Sequence, residues 1–198
     1  MFPDPSFVLS ASRDATVRLW KLLSAHPPTY DSTLIQHGSA FINSLAYVPP
    51  SAQYQDGLIV SGGKDTVIEA RQPGEAPQDN ADGLLLGHAA NVCALDVSED
   101  GKTIVSGGWD AEARIWQVGH WDEATAVLTG HEGSVWAVLA YDKETIITGT
   151  LQGVKGRGVK LRQCTTVSCR STNNNVYKQA APTNSYVSST PLENYYGP

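Results

Sequence analysis

His88, Ser106 and Asp110 are the residue types with which a polypeptide most directly performs nucleophilic chemistry. A hydroxyl attacks, an imidazole takes its proton, and a carboxylate orients the imidazole. The same types recur one stretch earlier as His37, Ser61 and Asp65, at corresponding places. Catalytic constellations are not normally duplicated along a chain in this way. The Gly-x-Ser-x-Gly elbow that presents a nucleophilic serine is also absent. The set therefore reads as structural, and the chain as a non-enzyme with no catalytic residues.

Other candidate chemistry is weaker. Asp79-Asn80-Ala81-Asp82-Gly83 resembles a calcium loop in composition, yet it lacks the alternating ligands and the distal Glu. Asp, Asn and Gly favour turns for local backbone reasons, so a solvated turn is expected there. His26 and His120 have no Cys or second His at ligand spacing and read as loop residues. Cys93, Cys164 and Cys169 form no zinc pattern. No metal and no cofactor is expected. Cys93 falls on an expected strand and should be a buried, reduced thiol.

The elements that must position His88, Ser106 and Asp110 are repeated too. Gln36-His37, Gly87-His88 and Gly130-His131 recur with a period of roughly 45 residues. Ser10-Ala11-Ser12-Arg13-Asp14, Ser61-Gly62-Gly63-Lys64-Asp65 and Ser106-Gly107-Gly108-Trp109-Asp110 form a second series. Each Asp is followed at one fixed spacing by Trp20, Arg71 or Trp116. Between landmarks lie short runs rich in β-branched and aromatic residues, bounded by Gly-containing turns such as Ser98-Glu99-Asp100-Gly101. Such runs predict antiparallel strands. In one of them Val92, Ala94 and Asp96 should oppose Cys93, Leu95 and Val97. No segment shows helical periodicity.

These residues resemble the WD-repeat family, whose blades carry a Gly-His before the first strand, an Asp in a tight turn and a terminal Trp. The resemblance implies an all-β fold, a partial WD-repeat β-propeller of about three to four blades of four-stranded antiparallel sheet. The units span about 1–21, 34–73, 84–118 and 127–150, and together make one incomplete propeller over 1–150. The family's structural tetrad falls on His88, Ser106, Asp110 and Trp116, with the imidazole bridging carboxylate and indole and the hydroxyl completing the chain. Trp20 and Trp116 become core residues.

Three segments resemble one propeller more closely: Ser12–Trp20, Ser61–Glu69 and Gly130–Val138, with Arg71 standing where a Trp usually stands. It is the amino-terminal propeller of the phospholipase A-2-activating protein family, the ubiquitin-fusion-degradation factors. The resemblance implies a non-catalytic adaptor in ubiquitin-dependent protein degradation whose partner is ubiquitin or ubiquitinated proteins. An AAA-type segregase would be reached only through later domains that have no counterpart in these 198 residues. The alternative reading is a generic WD-repeat scaffold for a peptide or another subunit.

Composition suits a soluble intracellular module: 41% hydrophobic residues, 17% charged residues and five Trp. No apolar run approaches the roughly 20 residues that span a membrane, and the first residues make no signal peptide. Cytoplasm or nucleus is the expected compartment. Nineteen of the 20 acidic residues precede position 151, only Glu193 following it, so the repeated part is acidic. Phosphate neutralisation needs the opposite sign, and no nucleic-acid partner is expected.

After Gly149 the pattern stops, with neither the Asp nor the Trp that the repeat requires. Residues 151–198 are rich in Ser, Thr, Asn and Gln and read as a disordered tail. Val159–Arg162 is the one candidate edge strand in it. The break points to a truncated or alternatively spliced product or a faulty gene model. An open set of blades leaves strand edges and blade faces uncovered, which predicts marginal stability or aggregation in isolation. Any partner surface should lie beside the turn Asp residues and before each first strand. Those places hold Arg13, Phe41, Asn43, Lys64, Asn91, Trp109, Ser134 and Trp136. Aromatic residues beside polar groups are enriched at protein interfaces.

Overall fold

Short β-branched runs separated by Gly and Asp turns fold here as strands. The structure is a computed structural model that describes residues 7–74, 81–141 and 145–150, except the His37 side chain, and the backbone of 163–168. Its strands are β1 (Phe7–Ala11), β2 (Thr16–Ala25), β3 (Pro28–His37), β4 (Ile42–Val48), β5 (Leu58–Gly63), β6 (Ile68–Arg71) and β7 (Gly83–Leu85). They continue as β8 (Val92–Val97), β9 (Thr103–Gly108), β10 (Ala113–Gln117), β11 (Ala126–Leu128), β12 (Val135–Ala140), β13 (Thr145–Thr150) and β14 (Gln163–Ser168). No helix occurs among the described residues.

The strands form four antiparallel sheets in chain order: β1-β2-β3, β4-β5-β6-β7, β8-β9-β10-β11 and β12-β13-β14. The all-β architecture is that of propeller blades. The sheets are out of phase with the sequence landmarks. β7 precedes His88 yet completes the second sheet, and β11 precedes His131 yet completes the third. His88 and His131 therefore follow the last strand of one sheet and lead into the first strand of the next, and His37 ends β3 just before β4. Aligning the Ser and Asp landmarks matches β1 with β5 and β9. The first sheet then has no counterpart of β4, β8 and β12 among the described residues.

Three apolar layers hold the four sheets together. Val17, Ile35, Ile42 and Ile59 join the first and second sheets. Leu58, Val60, Ile68, Leu85, Val92, Leu95, Ile104 and Trp116 join the second and third. Val105, Ala113, Ile115, Leu128, Val135 and Ile146 join the third and fourth. The period of two in a strand explains the division. Ile104 points to one layer and its neighbour Val105 to the other, as do Ile59 and Val60. β5 is accordingly buried along its whole length. Each large apolar side chain removed from water this way contributes about 1.5–3 kcal/mol.

The expected alternation in β8 fails for a local reason. A bulge between Val92 and Ala94 changes the phase, so that Val92 and Leu95 enter the same layer. Matching irregularities follow Ile42 in β4 and Val135 in β12. In β8 and β12 the residue just before the bulge lies over a glycine of the preceding sheet. A Cβ at Gly62 would sit 2.8 Å from Val92 Cγ1, and one at Gly107 2.7 Å from Val135 Cγ1. Carbon atoms pack at about 3.5–4.0 Å. Only glycine admits the next sheet at this depth.

One expectation needs correction. Trp20 is only half-buried, whereas Trp116 is fully buried. Trp116 packs against the second sheet, but no sheet among the described residues lies on the corresponding face of the first; Val8 on that face is 51% exposed and Tyr30 54%. Within the tail expected to be disordered, Gln163–Ser168 pairs with β13 along its whole length. The candidate edge strand Val159–Arg162 lies, like the rest of the tail, outside the described residues.

Overpacking of a fixed Val against a new methyl group costs about 1–3 kcal/mol. Gly107→Ala and Gly62→Ala are each expected to lower the urea midpoint by that equivalent. Gly38→Ala, whose added Cβ meets nothing closer than 3.6 Å, should leave the midpoint nearly unchanged and serves as the control.

Candidate functional site

The turn after each Ser-containing strand is built the same way. The residue following each landmark Asp has positive φ: Ala15 at 67°, Thr66 at 68° and Ala111 at 63°. This conformation costs an L-residue roughly 1–2 kcal/mol, and the Asp side chain offsets the cost. Asp14 Oδ1 accepts from Thr16 N at 3.0 Å, and Asp110 Oδ1 accepts from Glu112 N at 3.2 Å.

Asp110 uses its other oxygen to reach across the chain. Oδ2 accepts from Ala89 N at 2.9 Å and lies 2.8 Å from His88 Nδ1. His88 Nε2 lies 2.8 Å from Ser106 Oγ, which accepts from Trp116 Nε1 at 2.9 Å. The four residues that the resemblance marked are thus one hydrogen-bonded chain. Its order differs from the expectation in one respect: the imidazole reaches the indole through the Ser106 hydroxyl. Burial, the largest influence, pushes the His88 pKa down from 6.5, and the opposing Asp110 carboxylate does not reverse it. Burial also pushes the Asp110 carboxyl up, but the bonds from His88, Ala89 and Glu112 outweigh it and hold the group below 3.8. At neutral pH the pair is therefore a neutral imidazole and a carboxylate. Every proton then has one acceptor, from indole to hydroxyl to Nε2, and from Nδ1 to carboxylate.

This arrangement cannot present Ser106 to a substrate. The residue is 0% exposed, and its hydroxyl is already committed on both sides.

The neighbouring units carry partial versions. Trp20 Nε1 donates to Ser10 Oγ at 2.8 Å, repeating the Trp116–Ser106 bond. In the second unit Ser61 Oγ donates to Gln36 Oε1 at 2.6 Å, and both residues are buried. Gln36 therefore faces the serine, a partner that the Gly-His landmark does not mark. Arg71, at the Trp place, pairs with Glu69 at 2.8 Å. In the fourth sheet His131 Nε2 meets Thr148 Oγ1 at 2.7 Å, while its buried Nδ1 lies near the Ala111 backbone without a well-formed hydrogen bond.

The same turns carry the partner-surface residues to one end of the sheets. Lys64 N donates to Phe41 O and Trp109 N to Asn91 O, both at 2.9 Å, tying each turn to the start of β4 or β8. Two clusters result. Phe41, 45% exposed, lies under both Arg13 and Lys64, whose charged groups stand 5.8 and 5.5 Å from the ring centre. Trp109 and Trp136 are 48% and 43% exposed, with ring centres 5.7 Å apart and tilted by 56°. Asn43 instead holds the fold, donating to Val92 O at 3.1 Å. Asn91 contributes its carbonyl to the Trp109 tie, and Ser134 is half-buried. Lys64 and Phe41 meet within the second sheet, whereas Arg13 reaches Phe41 from the first, a contact that no sequence spacing marks.

No group of His, Cys, Asp and Glu among the described residues has metal-binding geometry. Asp82 spends both oxygens on Gln72, at 2.7 and 2.8 Å, while Asp79 and Asn80 lie outside the described residues. Cys93 is a free, half-buried thiol whose pKa burial, aided by Asp110, pushes up to about 11.

Repeated Asp turns, a buried Trp-Ser-His-Asp chain and successive antiparallel sheets define a WD-repeat β-propeller, and the chain is a WD-repeat protein. The family model for the WD domain, G-beta repeat, matches residues 1–21 and 83–117. Within that class the chain resembles the propeller of the phospholipase A-2-activating protein family. It is 35% identical to Protein DOA1 of Saccharomyces cerevisiae, over 67% of this chain and 17% of that protein. It is 33% identical to Phospholipase A-2-activating protein of Xenopus laevis, over 70% and 16%. It is also 33% identical to Ubiquitin homeostasis protein lub1 of Schizosaccharomyces pombe, over 56% and 14%. The solved WD40 propeller domain of Doa1 superposes with a TM-score of 0.63 at 31% identity, over 75% of this chain and 46% of that one. The matched region spans less than a fifth of the length of these relatives.

Ser106→Ala would leave the His88 and Trp116 nitrogens buried without partners, at about 1–3 kcal/mol for each orphaned group. Denaturant unfolding should show a larger loss for Ser106→Ala than for Ser10→Ala, since Trp20 is half-exposed and regains water. His88 and His131 both titrate below 6.5 in the folded chain, burial being the first cause in each. The unfolded chain therefore takes up protons first as pH falls. Their contribution to stability is complete above about pH 6.5 and is lost on acidification towards the folded-state values. The urea midpoint should drop between pH 7.5 and 5.5, and His88→Gln/His131→Gln should flatten that dependence while lowering the midpoint at pH 7.5.

Proposed function

We propose that the chain is a non-catalytic adaptor module whose loop-bearing end binds ubiquitin in ubiquitin-dependent protein degradation. The observation that carries the reading is the exposed Trp109–Trp136 pair, held at that end by the backbone tie between Trp109 and Asn91. Tryptophans in contact that still expose nearly half their surface are anchors for an apolar patch on a protein partner. The resemblance to relatives named for ubiquitin homeostasis supplies the partner. The buried, bond-saturated Ser106 supports the absence of catalysis. Cytoplasm or nucleus, where such a pathway runs and a free thiol persists, is the proposed location.

The second cluster favours another class of partner. Arg13 and Lys64 flanking Phe41 place two cations on a chain of net charge −6, and that end suits an acidic peptide, as in a general WD-repeat scaffold.

Fluorescent ubiquitin titrated with the chain should bind saturably, and Trp109→Ala and Trp136→Ala should each weaken binding by about tenfold, the equivalent of roughly 1.4 kcal/mol. Arg13→Ala/Lys64→Ala should leave ubiquitin binding unchanged and lower affinity for acidic peptides. Equal ubiquitin affinity in wild type and both Trp variants would remove the proposed site.

A further inference from the structure

We propose that the Arg13–Phe41–Lys64 cluster and the Trp109–Trp136 pair form one docking track, occupied by a single extended partner segment with an acidic group at one end and large apolar side chains at the other. The proposal rests on the reading of this end of the sheets as the partner surface, and it names what the occupant must carry and at what spacing.

Direct contacts join the two clusters. Ile42 N donates to Ser12 O at 3.2 Å, which sets Phe41 beside the turn that carries Arg13. Asn43 Nδ2 donates to Val92 O at 3.1 Å, which sets the start of β4 beside Asn91, whose carbonyl accepts from Trp109 N at 2.9 Å. The Trp109 ring then meets Trp136, with centres 5.7 Å apart. From Arg13 to Trp136 each sheet is thus joined to the next at this end.

The uncommitted groups along this path state what chemistry fits. Arg13 and Lys64 are exposed, and neither has an ion-pair partner among the described residues. Two like charges gathered at one ring repel each other, and a carboxylate between them relieves the repulsion, Arg13 offering it a bidentate pair. The net charge of the chain is −6, so the positive spot is local and selects an acidic group at one place in the segment. At the other end the half-exposed Trp rings take apolar side chains. In between, Asn43 Oδ1 and the Asn91 carboxamide have no hydrogen bond to a described residue, and both side chains reach solvent. Amides so placed suit the N–H and C=O groups of an extended main chain. Sheets pack about 10 Å apart and an extended chain advances about 3.3 Å per residue. The clusters lie one to two sheet spacings apart, so the acidic and apolar groups of the segment stand about three to six residues apart.

The test uses the full chain and labelled peptides with blocked ends: an acidic half, Asp-Glu-Ser-Thr; an apolar half, Ser-Thr-Leu-Phe; and the two joined through their Ser-Thr spacers in either order. By anisotropy, one joined peptide should bind about tenfold or more tightly than the better half, because the second contact becomes intramolecular. Replacing Asp-Glu by Asn-Gln, or removing the spacer, should abolish that gain with the chain itself unaltered. Arg13→Gln/Lys64→Gln should abolish it too, while leaving binding of the apolar half unchanged. Joined peptides no tighter than the better half in both orders, or a gain that survives the Asn-Gln replacement, would overturn the proposal. Fluorescent ubiquitin separates this result from the reading beneath it. Saturable ubiquitin binding without a gain from joining removes only the track, whereas a gain from joining without ubiquitin binding supports the track and removes only ubiquitin as the partner.

Discussion

One sheet must lie on the next with no side chain between them at Gly62 and Gly107, and the rest of the structure depends on that contact. Val92 and Val135 fill the space where a Cβ would stand. To reach it, the strands that carry them bulge at their first residue. The bulge then decides which side chains of β8 and β12 enter the shared layer. The contact thus fixes the spacing and the phase of the layer, and through them the burial of Ile104, Trp116 and Val105.

Trp116, held in that layer, anchors the polar chain through Ser106 and His88 to Asp110. Residue types capable of hydrolysis are here spent on tying the end of one strand, the turn after another and the loop from the preceding sheet. Neutral imidazole and ionised carboxylate are the states that leave each donor one acceptor, and burial favours the former. The second unit shows the tolerance of the design. Gln36 meets Ser61, and Arg71 turns to Glu69, without loss of the sheet.

Because each turn is tied to the start of a neighbouring strand, the residues beside the turns collect at one end of the sheets. Two different surfaces arise from one device. Tryptophans at successive sheets make an apolar pair, while Arg13 and Lys64 enclose Phe41 with positive charge on an otherwise acidic chain. Propellers use such ends for protein contacts because the loops there are free of the packing demands of the layers.

Short strands bounded by Gly-containing turns were legible in the residues alone, and the number of sheets, the Asp turns and the four members of the hydrogen-bonded chain through the family resemblance that the repeated landmarks carry. All are local or repeated: alternation over a few residues, a carboxylate capping its own turn, and landmarks whose recurrence outweighs any single coincidence. Tertiary structure decided the rest. The bulge in β8 follows from a glycine in a different sheet. Trp20 is half-buried where Trp116 is fully buried, because among the described residues only Trp116 has a sheet to lie against. Gln36 faces Ser61 through the register of β3 and the second sheet, which no spacing rule encodes. The contact of Arg13 with Phe41 likewise requires two sheets to be set side by side. Sequence determined which strands and turns form; the packing distance between sheets, set by side-chain volume at non-local contacts, determined which of their residues became core, tie or surface.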